Sequence, residues 1–319
     1  MCFYSMWKFA YQTKCMNIKI LLHVILPFQF IACQSNNEME DNQDQDNTND
    51  VEQLVSVSDN SDLTGLPSNT PSTNYVKEQS LKGDNPSPYG YIIRRPEGFG
   101  NDDLQYPILI FLHGVGSRGN SATNPNDLNK VDQGAAIRAV KLGLWSPSVA
   151  VPVVVPQTNT TWKPTEVKKF IQYLIDTYSN AINKDRIYIG GFSMGGAGVW
   201  SYLNHFGYDD GLVAAAVSLA GASDITVDVE SLKLMPFWAF HGQKDPTVSV
   251  TRTTNIVTAF RTKYPSQQHQ KLTLFTQDDF DGKYHRIDHG VFDRTFWEKN
   301  HTGDVFETDV MNWMLQYKR

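Results

Sequence analysis

The segment Gly190–Gly196, with the sequence GGFSMGG, constrains the fold of this chain more than any other feature. It follows an apolar run, Arg186–Ile189, and precedes a segment in which Trp200 and Leu203 recur at helical spacing. A G-x-S-x-G pattern between a strand and a helix predicts a tight turn, because its glycines avoid clashes that any side chain would create. The sequence therefore requires a strand that leads directly into a helix, with Ser193 held in a strained conformation at the junction.

Short apolar runs alternate along the chain with segments of helical period. Strands that alternate with helices indicate βαβ crossovers and a mostly parallel sheet with helices on both faces, a doubly wound α/β fold. The helical segments place apolar residues at spacings of three and four, as in Val167, Ile171 and Ile175. The predicted strands are Tyr106–Leu112, Val149–Val155, Arg186–Ile189, Leu212–Leu219, Met235–Phe240 and Lys271–Phe275. Further predicted helices are Ala135–Leu144 and Phe306–Tyr317.

The distribution of charge separates the N-terminal region from the rest of the chain. Residues 1 to 33 carry three Lys and no acidic residue, and residues 34 to 72 carry nine acidic residues and no basic one. The remaining 247 residues are balanced, with 25 basic and 25 acidic side chains. A balanced globular part lacks the clustered basic face that nucleic-acid binders need, so that class of protein is excluded.

The N-terminal region predicts a secretory signal rather than a folded unit. Residues 16 to 33, MNIKILLHVILPFQFIAC, place one Lys before a short apolar run that ends in Cys33. An apolar run with a small residue and then cysteine resembles a bacterial lipobox, which implies cleavage before Cys33 and its lipidation. Met16 is an alternative start, because the residues before it fit no signal pattern. An uncleaved apolar leader with a chance cysteine is the other interpretation.

Residues 34 to 74 predict a disordered acidic tether, because they contain few large apolar side chains to offset the entropy of ordering. An acidic stretch behind a lipidated cysteine resembles the surface-export signal of bacterial lipoproteins. This favours an outer-membrane or surface location in the bacterial cell envelope, with secreted or periplasmic as alternatives and a plain spacer as the simpler interpretation. The only expected contact with a membrane is through the lipid on Cys33.

Cysteine usage limits the chemistry of the predicted folded domain, residues 75 to 319. All three cysteines, Cys2, Cys15 and Cys33, precede this domain. It can therefore contain neither a disulfide nor a thiolate metal site. We expect no metal and no cofactor.

Two loops predict a nucleophile and the donors that would stabilise an oxyanion. Ser193 lies at a helix N-terminus, so the backbone N–H of Met194 is directed to where negative charge would develop on an attacked carbonyl. The glycine-rich loop His113–Gly119 follows a predicted strand and offers a second donor. That donor is the N–H of Val115, with Gly116 as the alternative. His113 is more often a structural histidine in such a position.

Two later loops predict the acid and the base. Asp245, after the strand Met235–Phe240, is the expected acid, and Asp224, one strand earlier, is the competitor. The base comes last in this chain order, and both His285 and His289 satisfy that order. We predict His289, because a glycine follows it and a helix-like segment beyond it can anchor that end.

The segments LHGVGSRG, RIYIGGFSMGG, FWAFHGQKDPTV and DHGVFDRTF, in this order, resemble the α/β-hydrolase superfamily. Within it they resemble secreted esterases that include feruloyl esterases, acetylxylan esterases and polyhydroxyalkanoate depolymerases. The resemblance covers about residues 88 to 319 and supports His289, which is followed by an aromatic residue, Asp and Arg as in that group. It implies an α/β-hydrolase fold and a Ser193–Asp245–His289 triad that acts through an acyl-enzyme.

The expected activity is hydrolysis of carboxylic esters by a membrane-tethered serine hydrolase. A surface location favours a polymer too large to import, so the expected substrate is an acylated polysaccharide or oligosaccharide with feruloyl or acetyl esters. Trp145 and Trp162 are candidates to stack on a sugar or aryl group, and packing at the edge of the core is the alternative for both. A serine peptidase on the same scaffold and a non-catalytic glycan-binding lipoprotein remain open.

Overall fold

The computed structural model describes residues 63–221, 226–276, 284–292, 301–304 and 308–319. The contacts between Cα atoms divide the chain into Met1–Glu52 and Gln53–Arg319, and every described residue belongs to the second unit. The predicted signal sequence, Cys33 and residues 34–62 of the predicted tether therefore lie outside the described residues.

In the described part of the chain, nine strands form one sheet in the order β1-β2-β4-β3-β5-β6-β7-β8-β9. Strands β4, β3, β5, β6, β7 and β8 pair in parallel, whereas β1, β2 and β9 pair antiparallel at the two sides. The strands are β1 (Val76–Ser80), β2 (Gly90–Arg95), β3 (Tyr106–Leu112), β4 (Val153–Gln157), β5 (Ile182–Phe192), β6 (Ala215–Leu219), β7 (Phe237–Gly242), β8 (Gln270–Phe275) and β9 (His301–Gly303).

Helices connect the parallel strands and cover both faces of the sheet. The α-helices of the described residues are α1 (Ala135–Lys141), α2 (Pro164–Thr177), α3 (Met194–Phe206), α4 (Val250–Lys263), α5 (Asp288–Val291) and α6 (Val310–Met314). Three 3-10 helices span Ser72–Asn74, Val115–Ser117 and Pro125–Gln133. Among these described helices, none is long and apolar enough to cross a membrane.

The core lies in two layers, one on each face of the sheet. Along β3, Ile108 and Ile110 pack into one layer, and Leu109 and Phe111 pack into the other, as the two-residue period of a strand requires. One layer includes apolar side chains of α2, α3 and α4, and the other includes those of α1 and α6. Burial on both faces confirms the predicted doubly wound α/β fold and explains why its strands are continuous apolar runs.

The six predicted strands are the six parallel strands, with shifts at their ends. β5 begins at Ile182, before the predicted start at Arg186. The apolar pattern did not predict this extension, because Lys184 and Asp185 are exposed and charged. The prediction also missed the three antiparallel strands, of which β2 is buried over residues 90–93. β1 is mostly exposed along its length, and β9 contains only three residues.

The N-terminal boundary of the folded domain lies before residue 75, which corrects the predicted boundary. Leu63 and Leu66 pack against the core. The Pro67 carbonyl accepts a hydrogen bond of 3.0 Å from the backbone N–H of Ala150, and Ser68 forms a β-bridge with Val149. The two leucines bury apolar surface, and the backbone pairing adds a hydrogen bond. The polar composition of the segment predicted neither contribution.

Candidate active site

The predicted site residues follow neighbouring parallel strands at the same edge of the sheet. Ser193 directly follows β5, and Asp245 follows β7, with β6 between these two strands. The His113–Gly119 loop follows β3 on the other side of β5. Because the C-terminal ends of parallel strands meet at one edge, the topology brings these loops together, as it does for ligand sites in open α/β sheets.

The Ser193 turn has the strained geometry that the G-x-S-x-G pattern predicts. Ser193 has φ +54° and ψ −115°, a backbone conformation with positive φ that residues other than glycine rarely adopt. Its backbone N–H donates a hydrogen bond of 2.8 Å to the Leu219 carbonyl at the end of β6. A Cβ on Gly195 would overlap the Leu112 carbonyl oxygen, and a Cβ on Gly191 would overlap the Gly195 carbonyl group. Both positions therefore require glycine.

His285 links Ser193 to Asp245. Its Nε2 lies 2.9 Å from Ser193 Oγ, and its Nδ1 lies 2.7 Å from Asp245 Oδ2. A carboxylate only accepts hydrogen bonds, so Nδ1 donates to Asp245. In the neutral ring Nε2 then accepts the proton of the Ser193 hydroxyl. This is the arrangement of a nucleophile, a base and an acid that orients the base.

His289 does not occupy the position predicted for it, and this prediction is corrected. Its Nε2 lies 3.3 Å from an Arg286 guanidinium nitrogen and 3.7 Å from Asp288 Oδ2. His289 lies within α5, the single turn Asp288–Val291, whereas His285 precedes that turn. Both histidines fit the chain order, and only the position of α5 determines which ring reaches Ser193.

Asp245 is fixed as a carboxylate by hydrogen bonds from several directions. Its Oδ1 accepts the backbone N–H groups of Thr247 at 2.8 Å and Val248 at 3.0 Å. Burial alone would raise the pKa of Asp245, but the hydrogen bonds from His241, His285 and these two N–H groups hold that pKa well below its usual range. The competing residue, Asp224, lies outside the described residues.

The His113–Gly119 loop lies against the nucleophile turn. A Cβ on Gly114 would lie 3.2 Å from the Phe192 ring, and Arg118 Nε lies 3.3 Å from Met194 Sδ. Val115 begins a 3-10 turn and its side chain is 56% exposed, so this part of the loop faces solvent. The loop therefore lies beside the nucleophile turn. That the N–H groups of Val115 and Met194 bind an oxyanion stays a prediction.

Comparison with known proteins matches the chain to esterases. The family model for phospholipases and carboxylesterases matches residues 157–289, which contain Ser193, Asp245 and His285. Comparison with curated proteins gives no match. Among solved structures, the chain is similar to a thermostable esterase, with 23% sequence identity and a TM-score of 0.54 over 78% of this chain. The matched part spans 64% of the length of that esterase.

The chain has an α/β-hydrolase fold. It is also similar to a ferulic acid esterase, with 15% identity and a TM-score of 0.45 over 68% of this chain and 95% of that one. A third similar structure is a serine-to-alanine mutant of the feruloyl esterase module from Clostridium thermocellum, complexed with sinapinate. That similarity has 17% identity and a TM-score of 0.46 over 77% of this chain and 94% of that one.

His113 has the structural role expected of it. Its Nε2 accepts a hydrogen bond of 3.1 Å from the Thr158 N–H, so Nδ1 carries the proton and donates to the Gly114 carbonyl at 2.7 Å. Burial, reinforced by the charge of Arg118, lowers the pKa of His113 to about 4 against the effect of these two bonds. Both nitrogens of the neutral ring are therefore bonded to backbone groups and hold the loop in place.

Both tryptophans that were predicted to contact substrate are buried, and these predictions are corrected. Trp145 is 5% exposed and packs against Phe292 with ring centroids 5.9 Å apart. Trp162 is also 5% exposed, and its indole N–H donates to the His113 carbonyl. A buried ring offers no open face to a sugar, so the edge-of-core alternative holds for both.

The structure identifies one residue at the site that was not predicted from the sequence. His241, at the end of β7, is completely buried, and its Nε2 lies 3.2 Å from Asp245 Oδ2. The only signal in the sequence was its position four residues before Asp245. Across the described residues, no three His, Cys, Asp or Glu side chains converge as metal ligands would.

Proposed function

We propose that this α/β-hydrolase is a serine carboxylic-ester hydrolase in which Ser193, His285 and Asp245 form the catalytic triad. The observation that carries the proposal is the continuous hydrogen-bonded chain from Ser193 Oγ through His285 to Asp245 Oδ2. A buried carboxylate, an oriented imidazole and a serine on a strained turn are the parts that acyl transfer needs.

The reaction follows from the positions of these atoms. His285 Nε2 takes the Ser193 hydroxyl proton as Oγ bonds to the ester carbonyl carbon, and the carbonyl oxygen becomes an oxyanion. The N–H groups of Met194 and Val115 are the proposed donors to that oxyanion. The tetrahedral intermediate then releases the alcohol, which takes the proton from His285. Water repeats the sequence on the acyl-enzyme and frees the acid and Ser193.

For the substrate we propose an acylated polysaccharide or oligosaccharide, with feruloyl or acetyl esters. The support is the N-terminal sequence, in which a lipobox-like segment ends at Cys33 and an acidic stretch follows. A lipid anchor there would hold the enzyme at the cell envelope, where it would meet polymers too large to import. Labelling with a fatty-acid analogue would test the anchor. If Cys33 carries the lipid, the label should be present in the unaltered protein and lost in Cys33→Ala.

The test of the proposed reaction compares the purified protein with Ser193→Ala and with Ser201→Ala, a serine on α3 away from the turn. We expect a fluorophosphonate to label the unaltered protein and Ser201→Ala stoichiometrically and to leave Ser193→Ala unlabelled. The unaltered protein and Ser201→Ala should hydrolyse p-nitrophenyl acetate, and Ser193→Ala should not. Unchanged ester hydrolysis in Ser193→Ala would contradict the proposed nucleophile.

The same three proteins, assayed on acetylated xylan fragments, methyl ferulate and a peptide anilide, determine the substrate class. Release of acetate or ferulate that is lost in Ser193→Ala would support the glycan-ester proposal. Cleavage of the anilide alone would indicate a serine peptidase. A protein that turns over none of these substrates and resists the fluorophosphonate would be a binding protein.

A further inference from the structure

Two histidines reach the same oxygen of Asp245 from different parts of the fold. His285 Nδ1 lies 2.7 Å from Asp245 Oδ2, and His241 Nε2 lies 3.2 Å from that atom. The other carboxylate oxygen, Oδ1, is occupied by two backbone N–H groups of its own loop. His241 is therefore a contact to the triad that the proposed reaction does not use.

The surroundings of His241 determine where its proton lies. Its Nε2 is 2.9 Å from the Val248 carbonyl, which can only accept a hydrogen bond, so Nε2 carries a proton. That proton faces both the Val248 carbonyl and Asp245 Oδ2. On the other side of the ring, Nδ1 lies 2.8 Å from the hydroxyl oxygen of Thr253 in α4. Both His241 and Thr253 are completely buried.

Thr253 has two acceptors for its single hydroxyl proton. It lies 2.8 Å from His241 Nδ1 and 3.3 Å from the Gly221 carbonyl. The Thr253 hydroxyl therefore ties the His241 ring to α4 and to the backbone after β6.

The loop is exposed on both sides of Asp245. The neighbouring residues Lys244, Pro246 and Thr247 are exposed. His241 instead belongs to β7, which is buried along its whole length between β6 and β8. A hydrogen bond from a rigid strand fixes a side chain more closely than bonds within an exposed loop do.

We propose that His241, held by Thr253, is a positioning residue that fixes the Asp245 carboxylate for His285. The inference rests on the proposed function and adds two residues to the hydrogen-bonded chain, which then runs from Thr253 through His241, Asp245 and His285 to Ser193. Neither added residue touches the substrate, and both act through Asp245.

The experiment compares His241→Leu, which removes the donor, with His241→Gln, whose amide can donate in place of Nε2. His269→Gln is the matched control, because His269 is also buried but bonds to the Lys233 carbonyl on another part of the fold. We expect kcat on p-nitrophenyl acetate to fall about 10- to 100-fold in His241→Leu, with KM within about threefold, by analogy with other orienting groups. His241→Gln should recover part of that loss, and His269→Gln should keep the kcat of the unaltered protein.

A second pair of variants separates positioning from loss of structure. Thr253→Val keeps the shape of the side chain and removes its oxygen, whereas Thr253→Ser keeps the oxygen. We expect Thr253→Val to lower kcat and Thr253→Ser to restore it. In His241→Leu the downfield proton resonance of the His285–Asp245 hydrogen bond should shift or broaden, while thermal unfolding shows that the protein is folded.

Folded His241→Leu with kcat within twofold of the unaltered protein and an unchanged proton resonance would overturn the inference. Equal kcat values for Thr253→Val and Thr253→Ser would also overturn the part assigned to Thr253. Failure of the proposed function gives a different result, because the unaltered protein would then resist the fluorophosphonate and hydrolyse no ester. The proton resonance would still report whether His241 positions the Asp245–His285 pair.

Discussion

At the scale of single residues, the site combines a strained backbone with a buried, fully bonded carboxylate. A left-handed conformation at a serine costs on the order of 1–3 kcal/mol and persists only where the surroundings enforce it. For Ser193 the enforcement comes from its N–H bond to Leu219 and from the close packing of Gly191 and Gly195. The strain directs Ser193 Oγ toward His285 Nε2.

The two histidines of the final loop give a direct prediction at this scale. His285→Ala should lower kcat/KM on p-nitrophenyl acetate by on the order of 1000-fold or more, because the general base and the link to Asp245 are both lost. His289→Ala should retain activity within about tenfold, since its ring bonds to Arg286 rather than to Ser193. Steady-state kinetics of the two variants measures this difference. The reverse order of the two losses would refute the placement of His285.

At the scale of elements, the nucleophile turn depends on the contact of β3 with the first turn of α3. Gly195, the second residue of α3, lies so close to the Leu112 carbonyl that no side-chain atom fits between them. The contact joins the strand that carries the His113–Gly119 loop to the helix that begins beside Ser193. The His113–Gly119 loop and Ser193 are thereby held at a fixed separation.

Gly195→Ala should therefore both destabilise the protein and disable the site. We expect the free energy of unfolding in urea to fall by about 3 kcal/mol or more, because the added Cβ meets backbone that cannot move aside. Fluorophosphonate labelling should fall with it. As a control, Gly116→Ala places a Cβ in open space and should change stability by less than about 0.5 kcal/mol. Equal stability of the two variants would mean that this contact does not constrain the turn.

Asp132 joins three other elements at the far side of the sheet. Its carboxylate lies 3.3 Å from Lys77 of β1, 2.9 Å from Arg94 of β2 and 3.5 Å from Lys141 of α1. Burial would raise the pKa of Asp132, but the bond to Arg94 and the charges of Lys77 and Lys141 hold it below its ordinary value. The folded state therefore stabilises the ionised carboxylate of Asp132 relative to the unfolded chain.

This pairing predicts a pH-dependent loss of stability in Asp132→Asn. Because the pKa of Asp132 is lower in the folded state, its ionised carboxylate stabilises the fold at pH values above the unfolded pKa, near 3.8. This stabilisation is lost as the pH falls through the folded pKa. We expect Asp132→Asn to lose about 1–2 kcal/mol in urea unfolding at pH 7 and to approach the unaltered protein as the pH falls well below 3.8. Asp176→Asn, at an exposed position on α2, should show no such trend. A difference that is constant with pH would contradict the ionic origin.

At the scale of the whole molecule, the sheet separates two apolar layers, and the segment before β1 closes the edge of one of them. Leu63 and Leu66 pack on the layer that contains Trp145 and Val149. Tyr75 reaches the same region, where its hydroxyl accepts a hydrogen bond of 3.0 Å from the Val151 N–H. The domain thus extends beyond the region where strands and helices alternate.

A protein that begins at residue 75 should therefore be less stable than one that begins at residue 63. We expect a loss of about 1–3 kcal/mol, from the apolar area of two leucines and from the pairing with Val149 and Ala150. Thermal unfolding of the two proteins measures it, and Leu66→Ala in the longer protein should reproduce part of the loss. Identical unfolding temperatures would show that residues 63 to 74 add nothing to the fold.

The sequence alone predicted the six parallel strands, the helices between them and the Ser193 turn, because each depends on a continuous stretch of chain. Burial on both faces makes a parallel strand a continuous apolar run, and the G-x-S-x-G spacing encodes a local conformation. The edge strands β1 and β9 escaped prediction because they are exposed or short.

Only the tertiary structure decided which side chains meet. His285 is 92 positions from Ser193 and 40 from Asp245, and a shift of four positions, from His289 to His285, changes the choice of base. The burial of Trp145 and Trp162 and the contact of His241 with Asp245 are likewise products of packing between distant segments. Local sequence determines conformation along the chain, whereas hydrogen bonds across it depend on how the sheet edge brings separate loops within about 3 Å of each other.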